Sequence, residues 1–306
     1  MNLVNRNLSI QEVEDYLDDQ ESTLVRKNKE SQRIIGWWSG GVTSAVACKL
    51  AIDLFGIDRV ELIMIDTKNE DEDTYRFFMD CQKWYGKQID IISTIPKKYD
   101  NIQDVWEENL SLNVAHGAIC SSELKRQVRI DWQRKNTFTH QVFGFDASEI
   151  NRAKNIKKNY PASKPIFPLL MYALSKKECI KIIEDAGIEI PRMYHYGFHN
   201  NNCFQTGCVQ GGIGYWQKMR DEFPDKFNKM AEMEHKLTDL KGEPVTCCKD
   251  QSNEAKLSGI YKVFLKPHPD YPKYKDLSMM KGRKVESLVE CNGFCGTQAS
   301  LFNQMA

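Results

Sequence analysis

The residues best suited to chemistry lie near the start of the chain. There Ser39-Gly40-Gly41-Val42-Thr43-Ser44 breaks the apolar run that ends at Trp37-Trp38. Adjacent glycines let main-chain N–H groups approach an anion closely, because no Cβ stands in the way. A helical pattern follows directly in Ala45, Val46, Cys48, Leu50 and Ala51. Its first turn adds unpaired donors and a partial positive charge, and Ser39, Thr43 and Ser44 add hydroxyls. The pattern predicts a phosphate or pyrophosphate site at the C-terminal end of a first strand; an ordinary glycine-rich turn is the alternative. Neither G-x-x-x-x-G-K-[ST] nor G-x-G-x-x-G is present here, which disfavours γ-phosphate chemistry with an in-loop lysine.

Two further groups of residues could carry chemistry. A second apolar run ends in Asp66-Thr67, followed by Asn69, Glu70, Asp73 and Thr74. A carboxylate there could hold Mg²⁺ or the ribose and adenine edge of a nucleotide, or simply cap a turn. Farther on, Cys203-Phe204-Gln205-Thr206-Gly207-Cys208 sets two thiols in a glycine-containing turn, and Cys291 and Cys295 follow near the C-terminus. These four make a tidy tetrahedral zinc set. Cys247-Cys248 lie in a weakly patterned region and are not expected to be ligands. Trp38 and Tyr215 are candidates to line an adenine pocket.

The elements that must position these groups alternate between strand and helix patterns. Strands are expected over 33–38, 60–66, 88–92 and 141–144, and helices over 43–55, 71–86, 121–134, 148–157 and 175–186. This predicts an α/β fold: a doubly wound, mostly parallel sheet with helices on both faces and a ligand crevice at the strands' C-terminal ends. Residues 1–32 are expected to form an N-terminal helical extension, a possible docking or homodimer element. Residues 33–195 would form the nucleotide domain and 196–306 a Cys-rich helical and irregular region. Within the last, helices are expected over 212–221 and 225–237, and 241–285 as an irregular extension or flexible loop.

The 306 residues carry 42 basic and 42 acidic side chains, so no global charge draws the chain to nucleic acid. No apolar stretch reaches about 18 residues, and the N-terminus lacks a signal-peptide core. A cytoplasmic protein is therefore expected. In that compartment its ten cysteines would be reduced.

The ordered motifs resemble the PP-loop superfamily of adenine-nucleotide α-hydrolases, and within it the phosphoadenosine phosphosulfate (PAPS) reductase family. The resemblance rests on Ser39–Ser44, on Ile65-Asp66-Thr67 with Glu72 to Phe77, on Ile119-Cys120-Ser121-Ser122-Glu123-Leu124-Lys125, and on Phe143-Gly144-Phe145 through Arg152. It implies adenine-nucleotide binding (ATP or PAPS), with Lys125 and Arg152 neutralising phosphate or sulfate and Cys120 beside the crevice. It also implies a [4Fe–4S] cluster on Cys120, Cys203, Cys208 and one of Cys291 or Cys295, with zinc as the competing metal. A sulfur-donor protein or thioredoxin, and a tRNA or DNA acceptor, are the partners such relatives imply. The chain departs from sulfite-releasing reductases, which end in Glu-Cys-Gly-Leu-His: here Glu290-Cys291 runs into Asn-Gly-Phe-Cys. Phe145-Asp146 also replaces the arginine of the family's G-x-R.

Overall fold

The structure, a computed structural model, describes residues 32–114, 117–201 and 203–285. Cys291, Cys295 and the expected N-terminal helix lie outside the described residues. The chain lays down β1 (Ile34–Trp38), β2 (Val60–Ile65), β3 (Ile89–Ile92), a small antiparallel hairpin of β4 (Asn113–Val114) and β5 (Gly117–Ala118), then β6 (His140–Val142) and β7 (Pro165–Ile166). The main helices of this half are α1 (Val42–Phe55), α2 (Glu72–Tyr85), α3 (Ile102–Asn109), α4 (Gln127–Lys135), α5 (Ile150–Asn159) and α6 (Lys176–Asp185).

Five strands form one parallel sheet in the order β3-β2-β1-β6-β7. Every residue of β1 is buried, as a central strand covered on both faces requires. Its side chains alternate: Ile34 and Trp38 join the core formed with α1, α2 and α6, whereas Ile35 and Trp37 join the core under α5. The expected doubly wound α/β fold is what forms. The chain starts at the middle strand, builds outward through β2 and β3, then returns to the other side of β1. That reversal between β1 and β6 opens a crevice beyond their C-terminal ends.

β7 was not foreseen. It is two residues long and begins with a proline, so it carries no period, and its edge position tolerates the missing N–H.

The second half packs α7 (Ile213–Glu222) and α8 (Pro224–Lys241) against a third core. Pro224 sits in the first turn of α8, where its missing N–H costs nothing. Residues 241–285 are more ordered than their weak periodicity implies. They form a three-stranded sheet, β10-β9-β8, from β8 (Cys248–Lys249), β9 (Lys262–Phe264) and β10 (Lys275–Asp276). Strands of two or three residues are too short to register as a pattern, yet Val263, Phe264 and Leu265 are fully buried. No helix among the described residues is long and apolar enough to cross a membrane.

Candidate functional site

The Ser39–Ser44 loop lies where β1 meets α1, at the crevice. Gly41 is the N-cap of α1 and gives it no side-chain cap, and the first turn holds no acidic residue. An anion can take the place of such a cap. The Ser44 hydroxyl accepts from Ser39 N at 3.0 Å and from Ser39 Oγ at 3.0 Å, and it donates to Gly41 O at 2.9 Å. It therefore acts as a strut that holds the loop's curve. Gly40 has φ +86°, and a Cβ there would sit 2.8 Å from Thr74 Cγ2. The Asn201 amide closes the loop from outside, donating to Gly40 O at 2.9 Å and lying 3.0 Å from Thr74 Oγ1. Behind it, Val42 N donates to the Tyr194 hydroxyl at 3.3 Å.

Gly144 approaches from β6. A Cβ there would lie 2.6 Å from both Cα and N of Ser44. The segment after β6 thus supports the loop through bare backbone.

Asp66 ends β2 with its carboxylate fully engaged inside the protein. It accepts from Tyr75 Oη at 3.0 and 3.2 Å and from Lys68 N at 2.8 Å, and pairs with Lys68 Nζ at 2.8 Å. A carboxylate offers about four acceptor sites, so Mg²⁺ fits poorly at this residue. Burial, and then the Asp66 charge, raise the Tyr75 phenol well above its ordinary value. Tyr75 therefore stays a donor.

Thr67 leads to the buried carboxylate of Glu70. Glu70 accepts from Thr67 Oγ1 at 3.0 Å and from Cys203 N at 3.2 Å, and faces Lys125 Nζ at 3.4 Å, with Lys125 itself buried. Lys125 projects from a π-helical turn, Ser122–Arg126, that joins Ile119–Ser121 to α4. Such turns re-aim side chains and cluster at functional sites. Asn201 and Cys203 thus join two groups of residues: Asn201 holds the glycine–serine loop and Cys203 holds Glu70. Asn200, also buried, has no hydrogen-bond partner for either amide atom among the described residues.

Arg152 lies on α5. Its guanidinium lies 4.3 Å from the Phe145 ring centroid and 2.6 Å from Glu149 Oε1. Phe145, standing in the family's G-x-R block, gives that cation a face to stack on. Trp38 and Tyr215 do not line an open pocket. Each is 1% exposed, Trp38 against Phe77 and Phe78 and Tyr215 against Phe198 and Phe204. Their rings are large enough that core packing claims them.

The cysteines divide by location. Cys203 is buried with φ +62°, a conformation uncommon for a residue with a Cβ. Cys208 N donates to Tyr215 Oη at 2.9 Å. Cys120, Cys247 and Cys248 share one core cluster with Tyr215, and Cys208 packs on its margin. Burial pushes the Cys247 thiol far above its usual range, which leaves it a poor thiolate donor. Thiols at Cys203 and Cys208 are of a class that suits a soft metal or cluster, and Cys120 lies in the third core, but among the described residues no three thiols converge within 4.8 Å. The remaining candidates, Cys291 and Cys295, lie outside the described residues.

Beneath this cluster, Glu234 accepts from Cys247 N at 2.6 Å and Leu265 N at 2.7 Å. Burial pushes its carboxyl up to about 8, against the pull of those two donors. The folded state therefore holds a proton that the unfolded chain has released between pH 4.5 and about 8. Stability from this group is complete below that window and is lost as pH rises through it. Replacement Glu234→Gln is expected to flatten this slope. It also lowers stability by about 1–3 kcal/mol, because an amide NH₂ faces one of the two backbone donors. Urea unfolding at pH 6 and pH 9 measures both effects.

A parallel sheet entered at its middle strand, with a glycine–serine loop where that strand meets its helix, defines a doubly wound α/β protein. Residues 33–210 match the phosphoadenosine phosphosulfate reductase domain, and the chain belongs to that family. Among solved structures it is similar to a phosphoadenylyl-sulfate (PAPS) reductase from Candida auris in a phosphate complex. The identity is 16%, over 62% of this chain and 93% of that one, with a TM-score of 0.40. It is also similar to NMN synthetase from Francisella tularensis, at 15% identity over 78% of this chain and 89% of that one, with a TM-score of 0.39. No curated protein matches the sequence.

Proposed function

We infer that the protein is a nucleotide-cleaving enzyme of its family: it binds ATP through Ser39, Gly40, Gly41, Thr43 and Ser44 and acts in sulfur transfer. The observation that carries this reading is the start of α1, whose N-cap Gly41 offers no side-chain cap, curved by Ser44 and braced by Gly144 and Asn201. Oriented backbone donors of this kind stabilise a polyphosphate in place, with no reorganisation during reaction. A substrate oxygen would attack the α-phosphorus, the bond to the bridging oxygen of the β-phosphate would break, and pyrophosphate would leave. Loop amides take the charge growing on the leaving group. Lys125, held by Glu70, supplies a fixed cation on the Cys203 side of the crevice.

An iron–sulfur cluster or zinc ion, held by Cys203 and Cys208 with Cys120, Cys291 or Cys295, would supply sulfur activation or a structural clamp. Replacement Cys203→Ser is expected to remove that metal, and unchanged iron and zinc content by elemental analysis contradicts the assignment.

Three assays on the purified chain test the activity. Pyrophosphate released from ATP, dependent on Lys125, supports this reading. Sulfite released from PAPS with thioredoxin instead makes it a PAPS or adenylylsulfate reductase. Nucleotide binding with neither product makes it a non-catalytic nucleotide-binding module with structural zinc.

A further inference from the structure

We propose a second metal site, for one divalent transition-metal ion of the zinc class, formed by Asp239, His268 and Asp270 at the junction of α8 with the loop that follows β9. It lies outside the anion loop and the cysteine group and depends on neither. Ligand atoms of the three side chains all lie within 4.8 Å of one another, the one such convergence of His, Cys, Asp and Glu among the described residues.

The chain makes the site from two elements. Asp239 lies in the last turns of α8, one turn after His235 on the same face. His268 and Asp270 come from Lys266-Pro267-His268-Pro269-Asp270, where two prolines restrict the backbone around the histidine. The His268 ring is walled in by His235, Tyr271 and Phe264, with centroids 4.5, 5.1 and 5.3 Å away. His235 donates its Nε2 proton to Lys266 O at 3.1 Å, so it braces the loop and stays out of the donor set.

The decisive feature is His268 itself. The side chain is 4% exposed, and its Nε2 has no hydrogen-bond partner. Asp239 Oδ1 is 3.2 Å from that nitrogen. The distance would serve a hydrogen bond, but the direction does not, so the oxygen lies off the N–H line. Two donor atoms placed side by side at this separation match the edge of a tetrahedron with bonds of about 2.0–2.2 Å. An ordinary ion pair would aim one atom at the other.

One contact must yield. Asp270 N donates to His268 Nδ1 at 3.3 Å. Loading a metal on Nε2 moves the ring proton to Nδ1 and opens that long bond as the Asp270 carboxylate turns onto the ion. An imidazole with two carboxylates favours zinc and its neighbours over Mg²⁺, and leaves a fourth position for water. Bound there, the ion ties the long helix α8 to the small β8–β10 sheet.

Cobalt(II) titration of the chelator-stripped full-length chain tests the site, because thiolate and nitrogen–oxygen ligands give different spectra. The expected result is a cobalt ion taken up without thiolate charge-transfer bands, retained in Cys203→Ser and weakened at least about tenfold in Asp239→Asn. Since Asp239 is solvent-exposed, that variant keeps its fold even where His268→Gln fails to. Zinc should raise the melting temperature of the wild-type chain and leave that of Asp239→Asn unchanged. Cobalt bound only through thiolates, or an identical titration for wild type and Asp239→Asn, overturns the proposal.

Discussion

Replacing Gly144 with alanine is expected to weaken nucleotide binding by at least about a hundredfold, a loss of about 2.7 kcal/mol. The new methyl would press on the backbone of the loop. It would lie 2.6 Å from Ser44 Cα and N and 2.8 Å from Thr43 C, all main-chain atoms that open α1. Backbone atoms cannot rotate aside as a side chain can, so the loop and the first turn must shift together. Overpacking of this kind costs about 1–3 kcal/mol of stability, whereas the loss of binding follows because the N–H groups leave their common focus.

Gly282→Ala is the control, since a Cβ there meets nothing within 4 Å. Calorimetric titration with ATP, run beside thermal unfolding, separates the two effects. Wild-type affinity in a folded Gly144→Ala protein would remove the loop from the binding site. The double variant Ser39→Ala with Gly40→Ala approaches the same question from within the loop, where Gly40 at φ +86° also resists a side chain. Binding should be lost while the fold survives.

The second large effect is expected from Glu70→Ala. This buried carboxylate faces Lys125 and accepts from Thr67 and from Cys203 N. Deleting one member of a buried pair costs about 3–5 kcal/mol, because the other charge loses the group that offset its desolvation. Here the change also releases Cys203, so metal content should fall along with stability. Urea unfolding of Glu70→Ala, Lys125→Ala and the double variant measures the coupling, expected at about 0.5–3 kcal/mol. A loss below about 1 kcal/mol in Glu70→Ala would mean that the pair holds nothing together.

Much of this was legible in the residues. The apolar run of β1, the glycines and hydroxyls after it, and the helical period from Ala45 onward agree with one another, so strand, loop and helix follow from local rules. Less was legible where elements are short. Nothing in the periodicity announced α3, although Asn101 and Asp104 form a capping box that marks its start. The sequence marked Glu70 only as one polar residue after Asp66-Thr67 and left Asn201 without a role, because what distinguishes them is burial against Cys203, and against Gly40 and Thr74, all more than a hundred positions away in the chain.

Residue order alone determined the parallel α/β architecture and the anion loop, since each depends on propensities and spacings within a few turns of chain. Tertiary packing alone decided how that loop is held: by Gly144 from β6, by Asn201 from beyond the sheet, and by Glu70 linking Lys125 to Cys203. Such contacts depend on which backbones meet after folding, and pairing between distant segments leaves no periodic trace in either one.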